Sequence, residues 1–201
     1  MGKWHNWRRY ENGTPMQHKM YQALDRLQIM DTLAPWEPVV IGTIPLDIDI
    51  PGSDIDIALY VDDFDQVEQV VRQHFSQFDG FRLERRVQTY RTVLVCQFFF
   101  DGFEIELYGE NRPTECQNGY RHMVIESRFL DLAGTRLRDH IRQLKLNGLK
   151  TEPAFAEVLG IEDDPYDSLL MYYHRSDSAY LSTLSHYIQG TQHQKISDTI
   201  S

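Results

Sequence analysis

The sequence predicts an α/β (α+β) fold, a mixed sheet flanked by helices and followed by a helical C-terminal part. Three observations carry that expectation. Residues 37–109 hold short apolar or alternating runs bounded by turn residues, the pattern of strands. One amphipathic stretch, preceded by Asp62 and Asp63, interrupts them with helical spacing. Beyond Pro113 the spacing is helical throughout, with glycines where helices should end. The expected division is 14–112 for the sheet-bearing domain and 113–190 for a helical part packed on it.

Taken in order, Thr14-Pro15 reads as an N-cap with proline at the first helical position, and Met20, Leu24, Leu27 and Met30 follow on one face. That helix should stop before Pro35. "EPVVIGT" (37–43) reads as a short buried strand and "SDIDIALYV" (53–61) as a strand of strict alternation. Phe64, Val67, Val70, Val71, Phe75 and Phe78 then trace one helical face. "FRLERRV" (81–87) alternates, with Phe81, Leu83 and Val87 on one side. "RTVLVCQFFF" (91–100) and "FEIELYG" (103–109) are the arms of a hairpin turned by Asp101-Gly102. Helices are expected over 117–132 and 135–147, closed by Gly134 and Gly148. Two more follow, 151–160 capped by Thr151 and 164–173 capped by Asp164 with Pro165 behind it. The polar end, "GTQHQKISDTIS", should fray.

Composition excludes several classes. No apolar run approaches the roughly 18–20 residues of a membrane span. The first residues lack a signal-peptide core, and "MGKWHN" lacks the hydroxyl residue of a myristoylation signal. Cys96 and Cys116 alone suit reduced thiols, neither a disulfide framework nor a zinc cluster. A soluble cytoplasmic protein is expected. The net charge is −10, with 20 Lys and Arg against 30 Asp and Glu. No basic residue lies between Arg26 and Arg72. Proteins that neutralise many phosphates show a basic surface, so the balance argues against nonspecific nucleic-acid binding. A small phosphorylated ligand carried by Mg²⁺ remains compatible.

The chemistry concentrates in "GTIPLDIDIPGSDIDIALYV" (42–61), which holds Asp47, Asp49, Asp54 and Asp56. Residues two apart on a strand share a face, so Asp54 and Asp56 should point together, away from Ile55, Ile57 and Leu59. Adjacent carboxylates repel unless a cation lies between them, and hard oxygens on a rigid strand suit Mg²⁺ or Mn²⁺. Gly42-Thr43 offers a flexible, hydroxyl-bearing turn where phosphate oxygens could approach backbone N–H groups. Glu104 and Glu106 share one face of the later strand, so two strands would supply the acids of a metal-dependent phosphoryl-transfer site.

Glycine and a small hydroxyl residue, here Gly42-Thr43, followed about a dozen residues on by Ser53-Asp54-Ile55-Asp56, resembles the signature of the DNA-polymerase-beta-like nucleotidyltransferase superfamily. Together with "FEIELYG", "QNGYRHM" and "KTEPAFAEVLG", the chain is similar over residues 14–173 to a group of uncharacterised bacterial proteins of that superfamily. The resemblance implies a nucleotidyltransferase-like mixed sheet and a nucleoside triphosphate bound with Mg²⁺ or Mn²⁺. It also implies a third carboxylate beside Asp54 and Asp56, supplied by Glu104 or Glu106. The implied activity is transfer of a nucleotidyl group to an unknown acceptor hydroxyl. Two features differ from the family pattern: "IPLDIDIPG" carries acids where basic residues are common, and the third acid is Glu rather than Asp.

The same residues have plainer uses. Asp47 and Asp49 flank a Pro-Gly turn and read as loop acids. An EF-hand fails because the loop positions 5, 6 and 12 are wrong. Glu104 and Glu106 could pair with Arg82 or Arg86 across strands. Ser53 serves equally as a local cap, and no histidine and acid accompany it as a hydrolase would require. Arg121 and His122 open the helix after the acidic strand and could meet a triphosphate, or simply lie on a solvated face. Lys145 and Lys150 sit where they would complement helix dipoles. Two alternatives follow at the level of function: a catalytically inactive nucleotide- or metal-binding module, and an interaction protein whose acidic strand faces a basic partner.

Overall fold

A computed structural model describes residues 2–88, 90–185 and 187. The chain divides into two compact units between Tyr120 and Arg121. The expected fraying of "GTQHQKISDTIS" falls outside the described residues.

The first unit opens with 3-10 turns at Lys3–His5 and Trp7–Asn12, which bury Trp4, Trp7 and Tyr10. Helix α1 (Pro15–Leu27) starts at a capping box. The Thr14 hydroxyl accepts from the Gln17 backbone N–H, and the Gln17 side chain accepts from the Thr14 N–H. It ends sooner than Pro35 would require, because Gln28 takes a left-handed conformation (φ 52°) and a short α2 (Ile29–Thr32) restarts the turn.

The sheet contains β1 (Val39–Ile41), β2 (Ile55–Tyr60), β3 (Arg82–Gln88), β4 (Arg91–Phe100) and β5 (Phe103–Glu110), in the order β1-β2-β5-β4-β3. Only the β2–β5 pair is parallel. Parallel neighbours need a long crossover, and α3 (Phe64–Phe75) with the β3–β4 hairpin supplies it. Asp63 caps α3 by accepting from the Asp65 and Gln66 N–H groups. The β4–β5 turn at Asp101-Gly102 has positive φ at both residues (54° and 83°), as a tight two-residue hairpin requires.

One sheet face is apolar. Val40, Ile55, Ile57, Leu59, Leu94, Cys96, Phe98, Phe103, Ile105 and Leu107 join Met20 and Leu24 of α1 and Val67, Val71 and Phe75 of α3 in one core. Burial of such side chains contributes on the order of 1.5–3 kcal/mol each, so this face fixes strand register. The other face is polar as a consequence of that register. One row across it reads Ile41, Asp56, Glu106, Gln97, Arg82. Val87 departs from expectation: Leu83 packs against the core, but Val87 is 76% exposed. Alternation assigns a strand residue to a face, yet only a covering element buries it.

Helix α4 (Asn118–Ala133) begins in the first unit and continues into the second. The second unit adds α5 (Thr135–Leu146), α6 (Thr151–Leu159), α7 (Pro165–Leu170) and helical residues 177–185. Phe129, Phe155, Tyr172 and Tyr180 meet through their rings in its core. Asp164 caps α7 by accepting from the Asp167 N–H at 3.0 Å. Thr151 does not cap α6: it is the first helical residue, and Lys150 holds the N-cap position without a side-chain bond. Among the described residues no helix is long and apolar enough to cross a membrane.

Candidate functional site

Strand β2 begins at Ile55, so Asp54 stands just ahead of it, exposed, while Asp56 lies within it, half-buried. The parallel register sets Asp56 directly opposite Glu106 on β5. Glu104, one step earlier, is exposed and opposite Phe99. The two glutamates that the sequence leaves equivalent are therefore distinguished by register. Glu106 Oε2 accepts a 2.8 Å hydrogen bond from Gln97 Nε2. Burial pushes the Glu106 carboxyl above its ordinary pKa against that bond, and the charges of Asp54 and Glu104 push the same way, while Arg86 opposes them.

Gly42 stands against this pair. Its φ is +84°, and a Cβ built there would lie 2.3 Å from Asp56 Oδ2. Glycine is thus required twice, for the left-handed turn after β1 and for room beside the Asp56 carboxylate. Thr43 and Ser53 bind the two ends of the following loop. Thr43 Oγ1 donates to Ser53 Oγ at 3.5 Å, and Ser53 Oγ accepts from the Ile50 N–H at 3.0 Å. The Thr43 carbonyl accepts from the Leu46 and Ile48 N–H groups. Asp47 and Asp49 are half-buried in that loop.

A cavity of about 340 Å³ opens over the polar sheet face. Asp56, Glu106, Tyr108 and Glu110 form its floor, Gln88 and Arg91 one side, and Gln117, Asn118 and Gly119 at the start of α4 another. Gly119 closes tightly on Ile41, whose Cδ1 would lie 2.8 Å from an added Cβ. Glu110, buried on β5, has Arg91 Nη1 at 3.7 Å and Arg112 Nη1 at 3.8 Å. Gln117 is 1% exposed, and its Nε2 donates to the Leu59 and Arg112 carbonyls at 2.8 and 3.0 Å. Sequence reasoning missed Gln97, Arg91, Glu110 and Gln117. Gln97 did leave a signal, as a lone amide inside the apolar run "RTVLVCQFFF".

Among the described residues no group of three or more His, Cys, Asp or Glu side chains is placed to hold a metal ion. The donors still fit a hard divalent cation. Asp56 and Glu106 are carboxylates paired across two strands at an open cavity, and burial around Glu106 disfavours its charged form, which a cation would offset.

Arg121 and His122 have their partners in the second unit. The Arg121 guanidinium lies over the Tyr173 ring, 4.7 Å from its centroid. His122 is buried, its Nε2 donating to the Tyr166 carbonyl at 2.9 Å and its Nδ1 3.5 Å from Glu152 Oε1. Burial opposes a charged ring, yet the Glu152 carboxylate, the Tyr166 carbonyl and Glu126 together hold the His122 pKa above its ordinary value. Glu126, wholly enclosed, is pushed up to about 8 by burial and by Glu152, with His122 and Lys145 acting against the shift. Lys145 lies in the last turn of α5, where it complements the helix dipole, and is buried there.

A mixed sheet with two facing acids on a parallel strand pair and a glycine-bearing turn beside them defines a nucleotidyltransferase-like fold. Likeness to solved structures supports the fold. In sequence, the chain belongs to the family described as Domain of unknown function (DUF4269), whose pattern matches residues 22–172. No curated protein matches it. In structure, it is similar to Cid1, described as having RNA terminal uridylyl transferase activity, with a TM-score of 0.51 and 16% identity over 79% of this chain and 53% of that one. A mutant Cid1 poly(U) polymerase bound to MgATP gives 0.50 and 16% over 82% and 52%. The polymerase core of TRAMP, an RNA surveillance complex, gives 0.49 and 15% over 83% and 60%. The chain thus spans about half the length of the Cid1 structures it resembles.

This fold class gives no support to the exclusion of nucleic acid drawn from net charge. Net charge sums the whole surface, whereas Arg82, Arg86 and Arg91 lie on one face of the β3–β4 hairpin.

Proposed function

We propose that the first unit binds a nucleoside triphosphate with Mg²⁺ or Mn²⁺ and transfers its nucleotidyl group to an acceptor hydroxyl. The observation that carries this reading is the facing of Asp56 and Glu106 in one cavity, with Gly42 keeping the space beside Asp56 open. Asp54 stands close enough to raise the Glu106 pKa and completes the acidic set. Among the two glutamates, Glu106 is the third acid and Glu104 is an exposed bystander. Arg121 and His122 make their described contacts with Tyr173, Tyr166 and Glu152 of the second unit.

A bound divalent cation would neutralise phosphate charge and stabilise the charge that develops during displacement. The chain's own groups do the rest. The backbone N–H groups at the start of α4, Asn118 and Gly119, and the Arg91 guanidinium face the cavity and suit triphosphate oxygens. Thr43 and Ser53 keep the loop that presents Gly42 in place. Glu106, with its raised pKa, accepts the acceptor's hydroxyl proton as that oxygen bonds to the α-phosphorus and pyrophosphate leaves.

A second reading, an inactive nucleotide-binding module, draws on the Gln97 bond to Glu106 and on the open arrangement of the acids. Pyrophosphate release separates the two. Each NTP is supplied with Mn²⁺ and a panel of acceptors, including RNA ends and small hydroxyl compounds. Release above the level of Asp56→Ala supports transfer, and nucleotide binding without release under any condition supports the inactive module.

A further inference from the structure

We propose that the open edge of β3 pairs with β3 of a second copy of this chain, joining two sheets across a two-fold axis at Arg85. Among the described residues, strand β3 is the terminal strand, paired on one side only, and six of its seven residues are exposed. Its ladder with β4 has no proline or bulge, and although charged side chains also blunt an edge, Glu84 and Arg86 are of opposite sign and can pair between two copies. It also leaves Val87 76% exposed.

The sequence of β3, Arg-Leu-Glu-Arg-Arg-Val-Gln, is complementary to itself when run antiparallel about its centre. That register sets Glu84 opposite Arg86 twice, which pairs opposite charges on the polar face. It sets Leu83 opposite Val87 twice, on the face of the apolar core, and so covers the exposed valine. Arg82 meets Gln88. The only like-charged meeting is Arg85 with its copy, and there the charge is already matched within each chain. Arg85 Nη2 lies 2.5 Å from Asp65 Oδ1, and its Nε donates to Glu68 Oε1 at 2.7 Å. A slip of one residue either way would set Leu83 and Val87 opposite Gln88 and Glu84, or opposite Arg86 and Arg82, so their apolar pairing selects the central register. The edge thus fits its own copy, and no other occupant explains why both signs sit symmetrically about Arg85.

Sedimentation velocity of the full chain over a range of concentrations tests this, with no nucleotide present. The wild type should form a dimer. Glu84→Arg and Arg86→Glu, each creating two like-charged pairs, should weaken dimerisation about tenfold or more. The double swap Glu84→Arg/Arg86→Glu should restore it, and Val87→Lys should weaken it independently. All three positions are exposed, and far-UV circular dichroism confirms that the variants fold. A wild type that stays monomeric throughout, or a dimer indifferent to the single swaps, or a double swap weaker than either single, would overturn the proposal. Loss of this dimer would leave the metal and nucleotide reading untouched.

Discussion

Gly42 is the residue on which the site turns, because it answers to backbone and side chain at once. Gly42→Ala would place a methyl 2.3 Å from Asp56 Oδ2 at a φ that favours glycine. It should cost about 1–3 kcal/mol in urea unfolding and abolish metal-induced stabilisation. A folded variant that still binds Mn²⁺ normally would show that Asp56 is not the ligand. The two glutamates give a sharper contrast. Glu106→Gln should remove metal binding, and Glu104→Gln should leave it near wild type, both read by calorimetric titration. Because burial raises the Glu106 pKa, a cation and a proton compete for that carboxylate on the acid side. Affinity should therefore climb as pH rises through that pKa, and Glu106→Gln should not show the same climb. Part of this geometry was legible in the sequence: the Gly42-Thr43 and Asp54-Ile55-Asp56 pattern singled out the two segments that the structure sets side by side. Which glutamate joins them was not, since Glu104 and Glu106 share a face and only the β2–β5 register separates them.

At the scale of elements, local signals told where helices start better than where they stop. Thr14 and Asp164 form the caps their sequences announce. Asp164→Ala should therefore cost about 1 kcal/mol in thermal or urea unfolding. An unchanged midpoint would show that the cap contributes nothing. Thr151, chosen by the same rule, lies one residue inside its helix. The break at Gln28 had no proline or glycine to signal it, and a left-handed glutamine is set by packing rather than by propensity. Strand order was equally hidden. Alternation gives each strand two faces, but β5 takes its place between β2 and β4 only through the crossover. That insertion brings Gln97 to Glu106 and makes an apolar run contribute a polar group to the site.

For the whole molecule, two properties run against what the bulk composition suggests. A chain of net charge −10 nevertheless gathers arginines on one hairpin, so the sum conceals the distribution. The second unit encloses Glu126, His122 and Lys145, and its stability must follow pH. Glu126 and His122 both bind protons more tightly folded than unfolded. Their contributions are therefore complete below their unfolded pKa values and are lost as pH rises through the folded ones. Glu152, lowered, acts oppositely and loses its contribution only as the solution becomes acid. Melting temperature should fall between about pH 5 and pH 8, and Glu126→Gln should flatten much of that fall. A profile that rises over the same interval would contradict the burial of Glu126. The central claim, a metal-nucleotide site formed by Asp56 and Glu106, is tested most directly by the melting temperature with Mn²⁺ and each NTP together. At about a hundred times the dissociation constant, the wild type should gain about 5–10 °C, and Asp56→Ala should gain nothing. No shift in the wild type, or an equal shift in Asp56→Ala, would contradict it.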